Sequence, residues 1–432
     1  VPEPDEFTFV AGGDMIGPYR TLKGVEEPTF KGVAALFQSG DLGCANQEGA
    51  IFDLAVFEGY PSAETGGDYP VSPLAVAYDL RAMGINAVSK ANNHSVDWGM
   101  EGLVASLKSL EAAGIAQAGG GISDAQARAP VYIQTPHGKA ALVSATSSFP
   151  PAAVAGPSVT RQGVASRPRP GINPLHVRQI RLVSAEQFAS LRRIAGPVAS
   201  PAGANGDEIR ISDQYFRASA TEGTTIEANP VDKSPILASI REAKAKAEFV
   251  AFTLHAHETA GDEDDMPPVD YEPIVLHRAN EVPSPDDPRP AAFIPPLFHE
   301  AVDAGADVVV RTGPHAVNGV EIYRGKPIFY GLGSLFLCFG GMRGYTAPSG
   351  QKKTFPEEWF ETIIPVCKYR KGKLSEVKLY PAEIESSTTQ TDGTPHLAGK
   401  EKATRILTRV RTLSENYGTK VSISDGVGVI RP

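Results

Sequence analysis

The sequence predicts a layered α/β protein, and three observations carry that reading. Short apolar runs of strand length alternate with segments whose apolar residues recur at helical spacing. Several of the runs end in polar, chemistry-bearing residues, as strands do where open α/β sheets place their ligands. Composition allows a sizeable core: of 432 residues, 41% are hydrophobic and 21% charged, ordinary for a globular chain of one large domain with insertions or of two domains.

Taken in order, residues 7–10 alternate as a strand and run into AGGDMIGPY, which puts Asp14 at the strand's end. Gly12 and Gly13 permit the tight backbone path that points a carboxylate into a cleft. A helix over 32–39 follows, then a strand ending in Asn46-Gln47-Glu48-Gly49. Residues 73–83 read as a helix and 85–88 as a buried strand, which delivers SKANNHSVDWG at 89–99. Leu103, Val104, Leu107 and Leu110 then recur at helical spacing. Strands are expected at 115–118, 131–133 and 140–145.

Residues 150–229 break the rhythm, being rich in Pro, Ala, Gly and Arg with one helical piece near 185–194. They read as a loop-rich insertion that faces substrate or covers the sheet. The alternation resumes with a helix at 235–247 and a strand at 249–254 ending in His255-Ala256-His257-Glu258. An acidic, Pro-rich second insertion spans 261–290. A helix at 293–304 and a strand at 307–310 lead to Arg311-Thr312-Gly313-Pro314-His315, then a hairpin at 320–330. Closing strands are expected at 361–368 and 374–380, and a helix at 400–417. The expected organisation is one domain over 1–385, with insertions at about 150–230 and 260–292, and a C-terminal tail with a helix over 386–432.

The formal net charge of -9 argues against a general nucleic-acid binder or a protein drawn to anionic membranes. A small anionic substrate stays open, because a metal would reverse the local field. Cys44, Cys338 and Cys367 form no paired spacing, so no disulfide framework is indicated. No apolar run of membrane-spanning length occurs. The start Val1-Pro2-Glu3-Pro4, without methionine, fits a processed exported protein. A periplasmic or extracellular location is therefore expected, with the cytoplasm also compatible.

Asp14, Glu48, Asn93 with His94, His255 with His257, and His315 each stand at a strand's carboxyl end. Carboxylate, amide oxygen and imidazole together suit a borderline divalent cation such as Mn, Zn or Fe. Such an ion would activate water or polarise a substrate oxygen.

The motifs GGDMIG, ANQEGAI, ANNHSVDWG, TLHAHE and GPHAVNGVEIYRGKPIFYGLGSLF resemble those of the CapA-like, poly-γ-glutamate capsule synthesis family. That family is similar to calcineurin-like metallophosphatases, which implies a four-layer α/β/β/α fold: a β-sandwich flanked by helices, here with two loop-rich insertions. The resemblance runs over about residues 7–337. It implies that Asp14 binds one metal, that Glu48 sits between metals, and that Asn93 and His255 bind the second. His315 would return to the first, and His94 would donate a proton. His257 would be a ligand or a second acid/base, and Arg169, Asn92, Thr312 and Glu258 would meet substrate. The family commonly carries a histidine where this chain has Thr312, and metallophosphatases carry one where it has Ile16, so one tightly bound divalent ion is expected. The function implied is a metal-dependent hydrolase of a phosphoester or a γ-glutamyl-type amide in a small or peptide-like substrate. Two alternatives stand beside it: a metal-assisted epimerase or lyase using His94 and His257, and a non-catalytic polymer-binding subunit. Oligomeric state is left open.

Overall fold

The computed structural model describes residues 5–18, 27–64, 69–202, 206–212, 214–260, 289–338, 344–346, 352–385 and 393–432. The expected second insertion at 260–292 lies for the most part outside the described residues.

Strand after strand carries apolar side chains on both of its faces, which demands cover on both sides. In Glu6–Ile16, Phe7, Phe9 and Ala11 join one apolar cluster while Val10 and Met15 join another. In Phe249–His255, Phe249 and Ala251 enter the first cluster, and Val250, Phe252 and Leu254 enter a third. The first cluster is the seam where two sheets meet face to face.

The larger, ten-stranded sheet runs Ser422–Ser424, Val427–Ile430, Lys373–Ile384, Glu361–Arg370, Glu6–Ile16, Leu42–Glu48, Ala87–Ser89, Ala116–Ala118. Ser334–Leu337 and Pro395–Leu397 pair beside that path. The six-stranded sheet runs Val320–Tyr323, Lys326–Phe329, Val308–Thr312, Phe249–His255, Gly138–Thr146, Val131–Thr135.

Helices cover the two outer faces. Pro28–Gln38 lays Phe30, Val33 and Phe37 on the larger sheet, and Ala75–Ala82 adds Val76, Ala77 and Leu80. Pro230–Lys246 and Ile294–Ala304 bring Ile236, Ile240, Leu297 and Phe298 to the smaller one. The architecture is thus the expected α/β/β/α sandwich. The helix expected from 235 begins at Pro230, because Asn229 caps it by accepting from the Val231 amide (2.9 Å) and Pro235 is accommodated inside.

Two expectations of organisation change. Within residues 150–229, Ala199–Ala202, Glu208–Ile211, Gln214–Ala218, Val177–Val183 and Gly223–Ala228 form a five-stranded sheet in that order. Helix Ala185–Ala195 lies beside it, closed by a Ser184–Gln187 capping box. The region is a small folded unit, not a loop. Its strands were hidden because they carry Arg178, Glu208, Arg217 and Glu227, which pair across the sheet at 2.5–3.1 Å instead of showing an apolar period. The C-terminal residues are likewise no tail. Helix Lys400–Glu415 buries Ile406, Leu407 and Val410 in the sandwich seam, and Val427–Ile430 pairs with Lys373–Ile384.

Four neighbours in the larger sheet (Glu6–Ile16 through Ala116–Ala118) are mutually parallel. So are Gly138–Thr146, Phe249–His255 and Val308–Thr312 in the smaller sheet. Register places Asp14 beside Asn46 and Asn46 beside Ser89; in the other sheet Thr146, His255 and Thr312 stand side by side. Both rows end at one edge of the sandwich. Among the described residues, no helix is long and apolar enough to cross a membrane.

Candidate metal centre

Asp14 is aimed by an irregularity. The ladder to Leu42–Glu48 shifts register between Ala11 and Asp14, and such bulges re-aim side chains. The path needs Gly13: a Cβ there would fall 1.6 Å from the Gly333 carbonyl oxygen, and Gly333 itself holds φ +80. The Asp14 carboxylate accepts from Asn46 Nδ2 (2.8 Å) and, from the facing sheet, the Gly313 amide (2.9 Å). Burial alone would raise its pKa, but hydrogen bonds and charge from His255 and His315 outweigh burial and hold Asp14 well below the usual carboxylate value.

Glu48 is in the opposite condition. It is fully buried, and neither carboxylate oxygen has a hydrogen-bond donor among the described residues. Burial first, then the Asp14 and Asp97 charges, push its pKa well above the ordinary value against the opposing pull of Lys90. A buried, undonated carboxylate is costly unless a cation completes it.

The groups that surround it are those of a metal site. His255 Nε2 lies 3.6 Å from Glu48 Oε1, 2.8 Å from Asn93 Oδ1 and 3.0 Å from His257 Nε2. Two imidazole nitrogens and two oxygens thus converge from three loops. Burial and neighbouring imidazoles lower the pKa of His257, and burial lowers that of His255, so both rings are neutral donors. Glu48, His255 and His257 offer ligand atoms within 4.8 Å of one another; so do Asp14, Glu48 and His315. Bonds of about 2.1 Å set neighbouring ligand atoms roughly 3–4 Å apart, a spacing met by His255 with Glu48 (3.6 Å) and His257 (3.0 Å) and by Asp14 with His315 (3.3 Å). Glu48 belongs to both. The expectation of one site therefore meets two candidate groups, with His257 in one of them beside its expected acid/base position.

His315 reaches the centre through a left-handed backbone, φ 53, a conformation that costs a non-glycine residue about 1–2 kcal/mol. Its Nδ1 lies 3.3 Å from Asp14 Oδ2 and 3.2 Å from Ser334 Oγ, and Trp359 packs edge-on at 5.0 Å. His94 is set differently. Asp97 Oδ2, three residues on, lies 2.6 Å from His94 Nδ1 and so fixes the ring, leaving Nε2 directed at the centre, 3.9 Å from Glu48 Oε1.

Four expected substrate contacts have other partners. The Asn92 amide is spent inside the protein: it donates to Asn46 Oδ1 and the Gln47 carbonyl, and accepts from the His94 amide and Ser95 Oγ. Glu258 is buried and accepts from Ser147 (2.9 Å) and Ser148 (3.4 Å). Thr312 Oγ1 lies 3.1 Å from His255 Nδ1, so it orients that ring, as the residues around a ligand do. Arg169 is exposed, and its Nε donates to the Val154 carbonyl, closing a loop of the insertion. Ile16, which stands where metallophosphatases carry a histidine, pairs with Glu48 in the ladder and packs with Leu337, Phe360 and Ile384.

Three contributors escaped the sequence reading. Asn46 links Asp14, His255 and Asn92, and strand alternation from Glu48 would have put it on the same face. Asp97 was legible as a carboxylate three residues after His94. Ser334 was not, since it arrives from a strand 320 residues beyond Asp14 in sequence.

Comparisons with known proteins identify the family of this chain. An uncharacterized protein of Sinorhizobium fredii is 33% identical over 461 residues, spanning 99% of this chain and 93% of its own. A protein of Mycobacterium tuberculosis described as a probable polyglutamine synthesis accessory protein is 25% identical over 123 residues, 28% of this chain and 29% of that one. Among solved structures, one described as a novel phosphatase of Mycoplasma pneumoniae aligns over 88% of this chain and 94% of its own, with 10% identity and a TM-score of 0.33. A family model matches residues 8–281 and 284–337, and on that match this chain belongs to the family described as bacterial capsule synthesis protein PGA_cap.

Proposed function

We propose that the protein is a metal-dependent hydrolase that cleaves a phosphoester or a γ-glutamyl-type amide bond. One observation carries the reading: Glu48, buried and without a donor, is shared by two groups of potential ligands. Asn93, Glu48, His255 and His257 would hold one divalent ion, and Asp14, Glu48 and His315 a second. When bound, such ions supply an activated water and charge stabilisation for the oxygens of the scissile group.

The chain's own residues supply the rest. His94 holds a proton at Nε2 for the leaving oxygen or nitrogen, while Asp97 keeps its Nδ1 engaged and the ring fixed. Asn46 and Thr312 set the His255 ring, and the Gly313 amide holds the Asp14 carboxylate in place. The epimerase or lyase alternative asks His257 for a free proton-transferring nitrogen. Its Nε2 instead faces His255 Nε2 at 3.0 Å, the arrangement of co-ligands.

The test is hydrolysis of p-nitrophenyl phosphate, its diester and γ-glutamyl-p-nitroanilide after chelation and reloading with Mn²⁺ or Zn²⁺. Metal-dependent turnover of one of them, lost in His94→Gln, supports the reading. Absence of turnover on all three by a metal-loaded protein, together with specific retention of a glutamate polymer, would favour a binding role.

A further inference from the structure

Two basic side chains are fully buried beside the ligand groups, Lys90 and Arg311, one from each side of the sandwich. Each holds the backbone on both sides of a single ligand. Lys90 Nζ donates to the Gly49 carbonyl and, at 3.4 Å, to the Gln47 carbonyl; Glu48 lies between them. Arg311 donates from Nε to the Ala256 carbonyl (2.9 Å) and from Nη2 to the Glu258 carbonyl (2.6 Å); His257 lies between them. The third Arg311 nitrogen reaches the Tyr330 carbonyl at 3.4 Å.

Burying a lysine and an arginine is expensive, and charge-assisted donors to carbonyls are among the few arrangements that offset it. Space is kept for Lys90 by Gly120, where a Cβ would meet the lysine stem at 3.1 Å. Neither clamp depends on titration, because an arginine stays charged and a lysine amine keeps N–H donors in either state.

Resting on the metal-site reading above, we infer that Lys90 and Arg311 are positioning residues, each fixing one ligand arm by bracketing it through the flanking carbonyls. The arms differ in a way that makes the inference specific. Glu48 belongs to both ligand groups, whereas His257 belongs to one. Loss of the Lys90 clamp should therefore weaken both ions, and loss of the Arg311 clamp only the ion of the Glu48–His255–His257 group.

The experiment is metal titration of the chelated full chain by calorimetry, with elemental analysis for stoichiometry and thermal melts in chelator as the folding control. Lys90→Met is expected to weaken both binding steps by roughly 10–100-fold, the usual consequence of losing a residue that supports a ligand. Arg311→Met is expected to weaken one step by a similar factor and leave the other within about twofold. Lys90→Gln and Arg311→Lys retain a donor and serve where the methionine variants do not fold, with the same selective order expected. Unchanged affinities in folded variants would overturn the inference. So would equal loss of both ions in both variants in step with the melting temperature in chelator, which is the signature of general packing. A wild-type chain that takes up no ion would remove the metal-site reading itself, and the clamps with it; that result is distinct from either of the others.

Discussion

Glu48 and His94 carry the residue-scale predictions because their surroundings assign them opposite tasks. The raised pKa of Glu48, caused first by burial, means that the folded metal-free protein holds this proton more tightly than the unfolded chain. The stability contributed is complete below the ordinary carboxylate range and is lost as pH rises through the raised value. His257, whose pKa burial pulls well below 6.5, runs the other way. Its contribution is present above 6.5 and is lost as pH falls through the lowered value. An ion must displace the Glu48 proton, so metal affinity should increase with pH. Calorimetry in two buffers of different ionisation enthalpy should register net proton release; none would mean that Glu48 is already ionised. For His94→Gln, the proposed role of the ring, transferring a proton and ligating no ion, predicts that turnover falls roughly 10²–10⁴-fold with metal content unchanged. A variant that also lost its metal would place His94 among the ligands.

At the scale of elements, the first strand and the inserted sheet make contrasting demands. Glu6–Ile16 can bulge and aim Asp14 only because Gly13 lets the Gly333 backbone approach. Gly13→Ala should destabilise the fold by about 3 kcal/mol or more, at the upper end of what overpacking costs, since neither backbone can yield. A denaturant melt measures this, and a loss well under about 1 kcal/mol would show the strand to be free to shift. The inserted sheet is held by Arg178 and Arg217 on the buried Glu208, with Glu227 completing the network. Glu208→Gln leaves two guanidinium groups undercompensated and should cost up to about 3 kcal/mol, reduced because both arginines are partly exposed. The loss should appear as faster hydrogen exchange confined to residues 177–228, with metal uptake intact. Exchange spreading into the sandwich would mean that the insertion and the core unfold together.

The molecule as a whole closes around its last forty residues. Ile406, Leu407 and Val410 sit in the seam between the sheets, and Ile430 packs beside them from the strand paired to Lys373–Ile384. A chain ending at residue 394 should lose its cooperative melt in circular dichroism, because an opened seam exposes apolar surface from both sheets. A truncated chain that melts as sharply as the whole would restore the description of these residues as a tail. Metal should stabilise the entire sandwich, since the ligands join both sheets: at a hundredfold excess over Kd, linkage gives about 2.7 kcal/mol per site.

By itself the sequence determined the alternation of strand and helix, and with it a layered α/β architecture; the count of four layers came only from what the family resemblance implies. Apolar periodicity is a local property, and strands apolar on both faces have few ways to be covered. It also determined which residues stand at strand ends: Asp14, Glu48, Asn93, His94, His255 and His315 were all legible because polar residues abruptly follow apolar runs. Tertiary structure alone decided what those residues do to one another. Whether a carboxylate is satisfied depends on donors from distant strands, so the bare oxygens of Glu48 and the spent amide of Asn92 leave no mark in their own segments. Thr312 read as a missing ligand until its hydroxyl was seen beside His255 Nδ1. The sheet inside residues 150–229 was invisible for a related reason. Its strands are held partly by charge pairs between residues 9 to 49 positions apart, and a pairing rule that skips along the chain has no period to read.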